Sequence, residues 1–323
     1  MNSLLNRLGL LALATAMGLT AAAAQSTKMV IGTGVDPAFA AFYIGKRAGI
    51  FEKNGLDVVL NTGPSGSAMV AFLIKGQSQA ALGAEQAGIQ NFNLDPNVVV
   101  AAETTELKTY WAVVGRNIGS VEELKGRRIG VAPGSGSEVF WLAMIEKLKL
   151  NPKDYNVVSV EPPEMIAAME RNNVDAFVSW EPWLTKTVRA IPGARIVRDN
   201  DGILTPRVYL YMNKAWVAAN PKPAEAFMRS LMEASEMTRT KREEAARHIA
   251  ATLHLDVPLT LELMDKLTYD IRLQQPSLDH LKMIEGQIRQ VGKLAKPVDW
   301  GAYIYPDLLK SVAPAKVGYE LPK

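Results

Sequence analysis

Trp180-Glu181-Pro182-Trp183 places two indoles and a carboxylate beside a proline, which biases Glu181 toward an extended backbone and ends the strand before it. Such a cluster can stack on a flat or apolar group and accept a hydrogen bond at one end; packing into a core is the alternative use of the tryptophans. Two small-residue turns precede apolar helical patterns, Ser65-Gly66-Ser67 and Gly134-Ser135-Gly136-Ser137-Glu138. Backbone N–H groups at a helix start are unpaired and carry partial positive charge, so these turns suit an anionic group. As plain N-caps the serines would serve only their own helices. The second turn is neither GxGxxG nor a GK[ST] phosphate loop, which argues against nucleotide binding. Asp36-Pro37-Ala38-Phe39 follows one short apolar run, and Glu85-Gln86 follows another. Glu85 and Glu181 together would hold a cationic or amino group, whereas a glutamate at a helix start can equally be solvated. Arg207, with Arg116 as its competitor, is the arginine expected to meet an anionic partner.

Several chemistries are excluded or disfavoured. The chain has no cysteine, so disulfides, thiol nucleophiles, cysteine metal sites and a lipid-modified cysteine are all ruled out. His248, His254 and His280 fall in the C-terminal part; they read as surface or packing residues, and no metal is expected. No GxSxG, HExxH or paired-acid arrangement is present, and neither catalysis nor a cofactor is expected. Lys and Arg number 36 against 33 Asp and Glu, and the basic residues form no run, so nucleic-acid binding has no electrostatic footprint.

The elements that must position these residues follow an alternating rhythm. Arg7 precedes an apolar, small-residue stretch (8–24) closed by Ala22-Ala23-Ala24, which predicts a cleaved signal peptide over 1–24 and an exported protein. A membrane anchor is the alternative, opposed by the alanine-rich second half. The remainder is long enough for two domains. Strands are expected at 28–34, 56–63, 79–84 and 97–105, with helices at 40–55, from about Ser65 and from about Glu85. A second set has strands at 127–134, 155–162 and 174–183 and helices at 137–150 and 163–173. The class is therefore α/β, with mostly parallel sheets and flanking helices. Two extended, aromatic-rich segments (109–117 and 207–216) read as crossings between lobes. Lobe 1 is expected to hold 25–115 plus 209–323, with a helical tail from Pro221, and lobe 2 to hold 116–208.

AFYIGKRAGIFEKNGLDVVL (41–60), PSGSAMVAFLIKGQSQAALGA (64–84), SVEELKGRRIGVAPGSGSE (120–138) and NNVDAFVSWEPWL (172–184), in this order and spacing, resemble the ABC-transporter solute-binding proteins of the nitrate, sulfonate and taurine group. The resemblance implies a two-lobed type II periplasmic-binding fold with the ligand in the cleft between lobes. Physics favours the same place, because strand ends and helix starts converge on a crevice in open α/β sheets. The residues expected to meet the ligand are Asp36, Phe39, Ser65, Gly66, Ser67, Glu85, Gln86, Ser135, Gly136, Ser137, Trp180, Glu181 and Arg207. The resemblance further implies a periplasmic, monomeric receptor for a small sulfonate-, taurine- or nitrate-like solute, with permease subunits as partners. Two rivals stand beside it. One is a receptor for a pyrimidine or other heteroaromatic, which would stack on Phe39, Tyr43, Trp111, Trp180 or Trp183. The other is an enzyme resembling the thiamin-pyrimidine synthases, opposed by the missing cysteine and the signal peptide.

Overall fold

The computed structural model describes residues 26–320, and the expected signal peptide lies outside them. The first stretch alternates strands β1 (Thr27–Thr33), β2 (Leu56–Thr62), β3 (Ala80–Gly83) and β4 (Val98–Leu107) with helices α1 (Ala40–Arg47), α2 (Ile50–Lys53), α3 (Gly66–Ile74) and α4 (Glu85–Leu94). The chain then builds β5 (Trp111–Arg116), β6 (Arg128–Val131), α5 (Gly136–Lys147), β7 (Asn156–Ser159), α6 (Pro162–Glu170), β8 (Ala176–Trp180), α7 (Trp183–Ala190) and β9 (Ala194–Asp199). It returns through β10 (Arg207–Asn213) to α8 (Lys214–Ala219), α9 (Pro221–Thr240), α10 (Arg242–Leu253) and α11 (Val257–Asp265). The tail is β11 (Leu267–Gln274), α12 (Gln275–Gln290), α13 (Trp300–Tyr303), α14 (Asp307–Val312) and β12 (Val317–Gly318).

Two sheets result. The larger has seven strands in the order β12-β11-β4-β10-β3-β1-β2, and the smaller has five in the order β7-β6-β8-β5-β9. In the larger, β2, β1 and β3 are parallel while β10 runs antiparallel to β3 and β4. In the smaller, β7, β6 and β8 are parallel while β5 runs antiparallel to β8 and β9. β5 and β10 are the strands by which the chain enters a new sheet. Each starts where the parallel strands of that sheet end, and so must run against them.

The passages between sheets are short, residues 108–110 and 200–206, rather than the 109–117 and 207–216 segments expected. Those aromatic-rich segments are instead largely the strands β5 and β10. Asn200 ties the two passages together. Its Oδ1 accepts from the N–H groups of Tyr110 (2.8 Å) and Trp111 (2.9 Å), and its Nδ2 donates to Leu204 O (3.1 Å) and Lys108 O.

Local chemistry explains most elements. The start of β4, Val98 to Ala102, is entirely buried, as a continuous apolar run between two layers requires. The helix expected over 40–55 is broken into α1 and α2 at Gly49, whose φ of 69° lies in the left-handed region. In the tail, β11 interrupts what was expected to be helix; it pairs with the exposed edge of β4. The larger core centres on Phe227 of α9, which stacks on Phe51 at 5.7 Å and meets Phe42 at 6.0 Å. Burying such a ring is worth about 1.5–3 kcal/mol. Among the described residues, no helix is long and apolar enough to cross a membrane.

Candidate functional site

A small cavity, of about 20 Å³, lies between the two sheets, walled by residues of both. From the larger sheet and its helix starts come Asp36, Phe39, Ser65, Gly66, Ser67, Ala84, Leu107 and Val208; from the smaller come Trp111, Gly136 and Trp180. Asp36, Phe39, Ser65, Gly66, Ser67, Gly136 and Trp180 are thus brought together from the residues singled out in the sequence. Leu107 and Val208 carried no chemical signal that could have marked them, and Trp111 was visible only as a stacking candidate.

Each lining residue is held by a local device. Asp36 caps the turn at Pro37–Phe39, with Oδ1 accepting from Ala38 N at 2.8 Å and from Tyr110 OH at 2.7 Å. Burial pushes its carboxyl up to about 7, against the hydrogen bonds of Tyr110 and Ala38, which favour the ionised form. Ser65 is the N-cap of α3 and accepts from Ala68 N at 3.1 Å, while Ser67 Oγ accepts from Ala84 N at 3.3 Å. Both hydroxyls so act as acceptors toward backbone and keep a proton to donate. Gly66 is required by space: a Cβ there would stand 2.2 Å from Leu82 O and 2.6 Å from the Phe39 ring. A Cβ on Gly136 would stand 2.3 Å from Trp111 Cζ2. Trp111 and Trp180 are direct partners in the antiparallel β5–β8 register, so both indoles project from one face of the smaller sheet. Trp180 Nε1 is buried without a partner.

The remaining expected residues are turned elsewhere. Glu85, fully buried, accepts from Arg207 N at 2.7 Å and lies 2.6 Å from His280 Nε2. His280, expected on the surface or in packing, is therefore a buried polar partner of Glu85 Oε1 from α12, while Oε2 is buried without a hydrogen-bond partner among the described residues. Glu181 follows a similar logic: it accepts from Thr185 N (3.0 Å) and Thr185 Oγ1 (3.0 Å), and pairs with Lys266 Nζ at 2.7 Å. Arg207 pairs at 3.0 Å with Glu103 and 3.1 Å with Glu106, carboxylates it shares with Arg272. Its competitor Arg116 donates to Asn172 at 3.2 Å, away from the cavity. Ser135 caps α5 and donates to Ala132 O at 2.8 Å, and Ser137 donates to Val178 O at 2.6 Å; both hydroxyls serve the smaller sheet itself. Gln86 spans the gap, donating to Ser135 O at 3.1 Å and Glu138 Oε2 at 3.3 Å.

Gln86 is one of several contacts that draw the sheets together. Lys293 pairs with Glu138, Gln287 donates to Glu146 at 3.1 Å, and Lys266 pairs with Glu181 on the other flank. Among the described residues, Asp36 is the one ionisable side chain in the cavity wall.

Comparison with known proteins places this arrangement. The structure overlays the alkanesulfonate-binding protein SsuA of Xanthomonas axonopodis pv. citri with a TM-score of 0.77, at 15% identity, covering 87% of this chain and 99% of that one. It overlays the periplasmic nitrate-binding protein NrtA of Synechocystis PCC 6803 with a TM-score of 0.71, at 15% identity over 90% of this chain and 89% of that one. The fold is accordingly the two-lobed type II periplasmic-binding fold. In sequence, the chain is 24% identical over 200 residues to the taurine-binding periplasmic protein of Escherichia coli, a span of 57% of this chain and 58% of that one. The chain spans about half the length, 49%, of an aliphatic sulfonates-binding relative from the same organism, and 85% of a binding protein of Brucella abortus. Residues 22–254, more than half of the sequence, match the model of the NMT1-like family, and the chain belongs to that family.

Proposed function

We propose that this protein is the solute receptor of an ABC importer: an exported, periplasmic monomer that holds a small polar solute between its lobes and presents the closed form to permease subunits. The observation that carries this reading is the cavity walled from both sheets. A solute touching both walls favours closure, because it makes more contacts in the closed form than in the open one. The sulfonate, taurine and nitrate names among the relatives support a solute of that kind. The start of α3 and the hydroxyls of Ser65 and Ser67 supply donors for its acceptor oxygens. A heteroaromatic solute is the second reading, favoured by Phe39, Trp111 and Trp180 in the wall.

Calorimetric titration with taurine, ethanesulfonate, nitrate and pyrimidine, alongside small-angle scattering, tests the proposal. A binding solute should compact the molecule. Phe39→Ala and Trp180→Ala, from opposite walls, should each weaken it about tenfold or more. Unchanged affinity in both variants would remove the site from between the lobes.

A further inference from the structure

The wall of the cavity is charged in an unexpected sense. Among the described residues, no lysine, arginine or histidine lines it, and the nearby cations are engaged: Arg207 with Glu103 and Glu106, Lys266 with Glu181, Lys293 with Glu138. Two of the helix starts around the gap already hold their own acids, Glu85 at α4 and Glu138 at α5, where the N-terminal dipole favours negative charge. What faces the cavity is Asp36. Its Oδ1 takes both available donors, Ala38 N and Tyr110 OH, and no hydrogen bond from a described residue reaches Oδ2. The titratable groups around it are Tyr43, Tyr110, Tyr269 and Glu181, none of which supplies a positive charge. Ionising a carboxyl group in a largely apolar wall without a counter-charge is costly, and a cationic or donor partner offsets that cost.

Resting on the receptor reading above, we infer that Asp36 binds a nitrogen donor of the solute: the site takes a small amine or amino-bearing ring, its apolar body packed on Trp111, Trp180 and Phe39. The same solute also carries an acceptor. Trp180 Nε1 is buried without a partner, and the Ser65 and Ser67 hydroxyls keep their protons free to donate. An amino-sulfonate and an aminated heteroaromatic both combine a donor nitrogen with acceptor atoms. A simple anion such as nitrate supplies the acceptor end alone. Oδ2 is the atom that distinguishes them.

Matched pairs isolate the nitrogen: taurine against ethanesulfonate, and 4-aminopyrimidine against pyrimidine, titrated calorimetrically into the full chain. A charge-assisted hydrogen bond to Asp36 should make the amine of at least one pair bind about 10- to 100-fold more tightly than its partner. The responding pair identifies the source of the nitrogen. Asp36→Asn should erase that preference, so that both members of the responding pair bind with comparable affinity. With taurine, affinity should rise between pH about 6 and about 8 as Asp36, near 7 when alone, ionises. Equal or tighter binding of the nitrogen-free members would overturn the inference and leave the receptor reading standing, and the wild-type comparison alone decides this if the variant does not fold. A preference surviving Asp36→Asn would also overturn it. No heat from any of the four compounds, with no compaction in scattering, would overturn both.

Discussion

Burial moves the Asp36 carboxyl from 3.8 to about 7, so the folded chain binds more protons at this site than the unfolded chain across that interval. Stability from this group is therefore full below the unfolded value and declines as pH rises toward 7. Asp36→Asn removes the burden of ionising a buried acid. Its melting temperature should gain on that of the parent between pH about 5 and about 8, as measured by circular dichroism at both values. An identical gap at both would show that Asp36 titrates as an exposed acid. Side-chain direction, more than position, separates the residues that reach the cavity from those that do not. Glu85 and Glu181 sit at strand ends beside the gap, yet each is turned by a partner contributed from far along the chain. His280 lies 195 residues from Glu85, and Lys266 lies 85 residues from Glu181. Nothing near the glutamates in sequence announces those partners.

Helix starts behave differently, because their geometry is local. Ser65 and Ser135 cap α3 and α5 as their turn sequences predict, with Oγ bound to the N–H of Ala68 and Ser137 respectively. The glycines beside them carry the long-range part. Gly34, Gly66 and Leu82 bring the end of β1, the start of α3 and β3 so close that a methyl group on Gly66 would meet the Leu82 carbonyl. Backbone cannot step aside as a flexible side chain can. Gly66→Ala should thus destabilise the protein by about 1–3 kcal/mol and lower its denaturant midpoint, measured by urea unfolding. A neutral result would mean that α3 slides freely on β3. The tail shows the opposite limit. Between α11 and α12 the chain becomes β11 because β4 offers an unpaired edge there; its pattern of burial, Leu267, Ile271 and Leu273, is too sparse to separate strand from helix by spacing alone.

Closure belongs to the molecule as a whole. Asn200 joins the two passages between the sheets, and polar contacts bridge the sheets on both flanks: Lys266 with Glu181 on one side, Lys293 with Glu138 on the other. Both lysines are partly exposed while Glu181 and Glu138 are buried, so removing a lysine leaves a buried carboxylate short of its counter-charge. Removing both should shift the balance between open and closed forms. The Lys266→Ala/Lys293→Ala double variant should show a larger ligand-free radius by small-angle scattering and a few-fold weaker affinity, and added salt should reproduce part of the effect. An unaltered radius would show that the apolar wall alone keeps the sheets together.

Alternation of apolar strands with capped helices determined the α/β class, the order of elements from β1 to β4 and from β6 to β8, and the small-residue turns at the gap, since propensity, capping and period are properties of neighbouring residues. α7 and β9 were not expected, and β5 and β10 read as crossings. The four stretches resembling solute-binding proteins also lay open in the sequence. Tertiary structure decided the rest: where the chain changes sheets, that Asp36 alone among the acids faces the cavity, and that Arg207 is consumed by Glu103 and Glu106. A charge is oriented by whichever opposite charge folding brings nearest, and that pairing is settled by contacts between residues far apart in the chain.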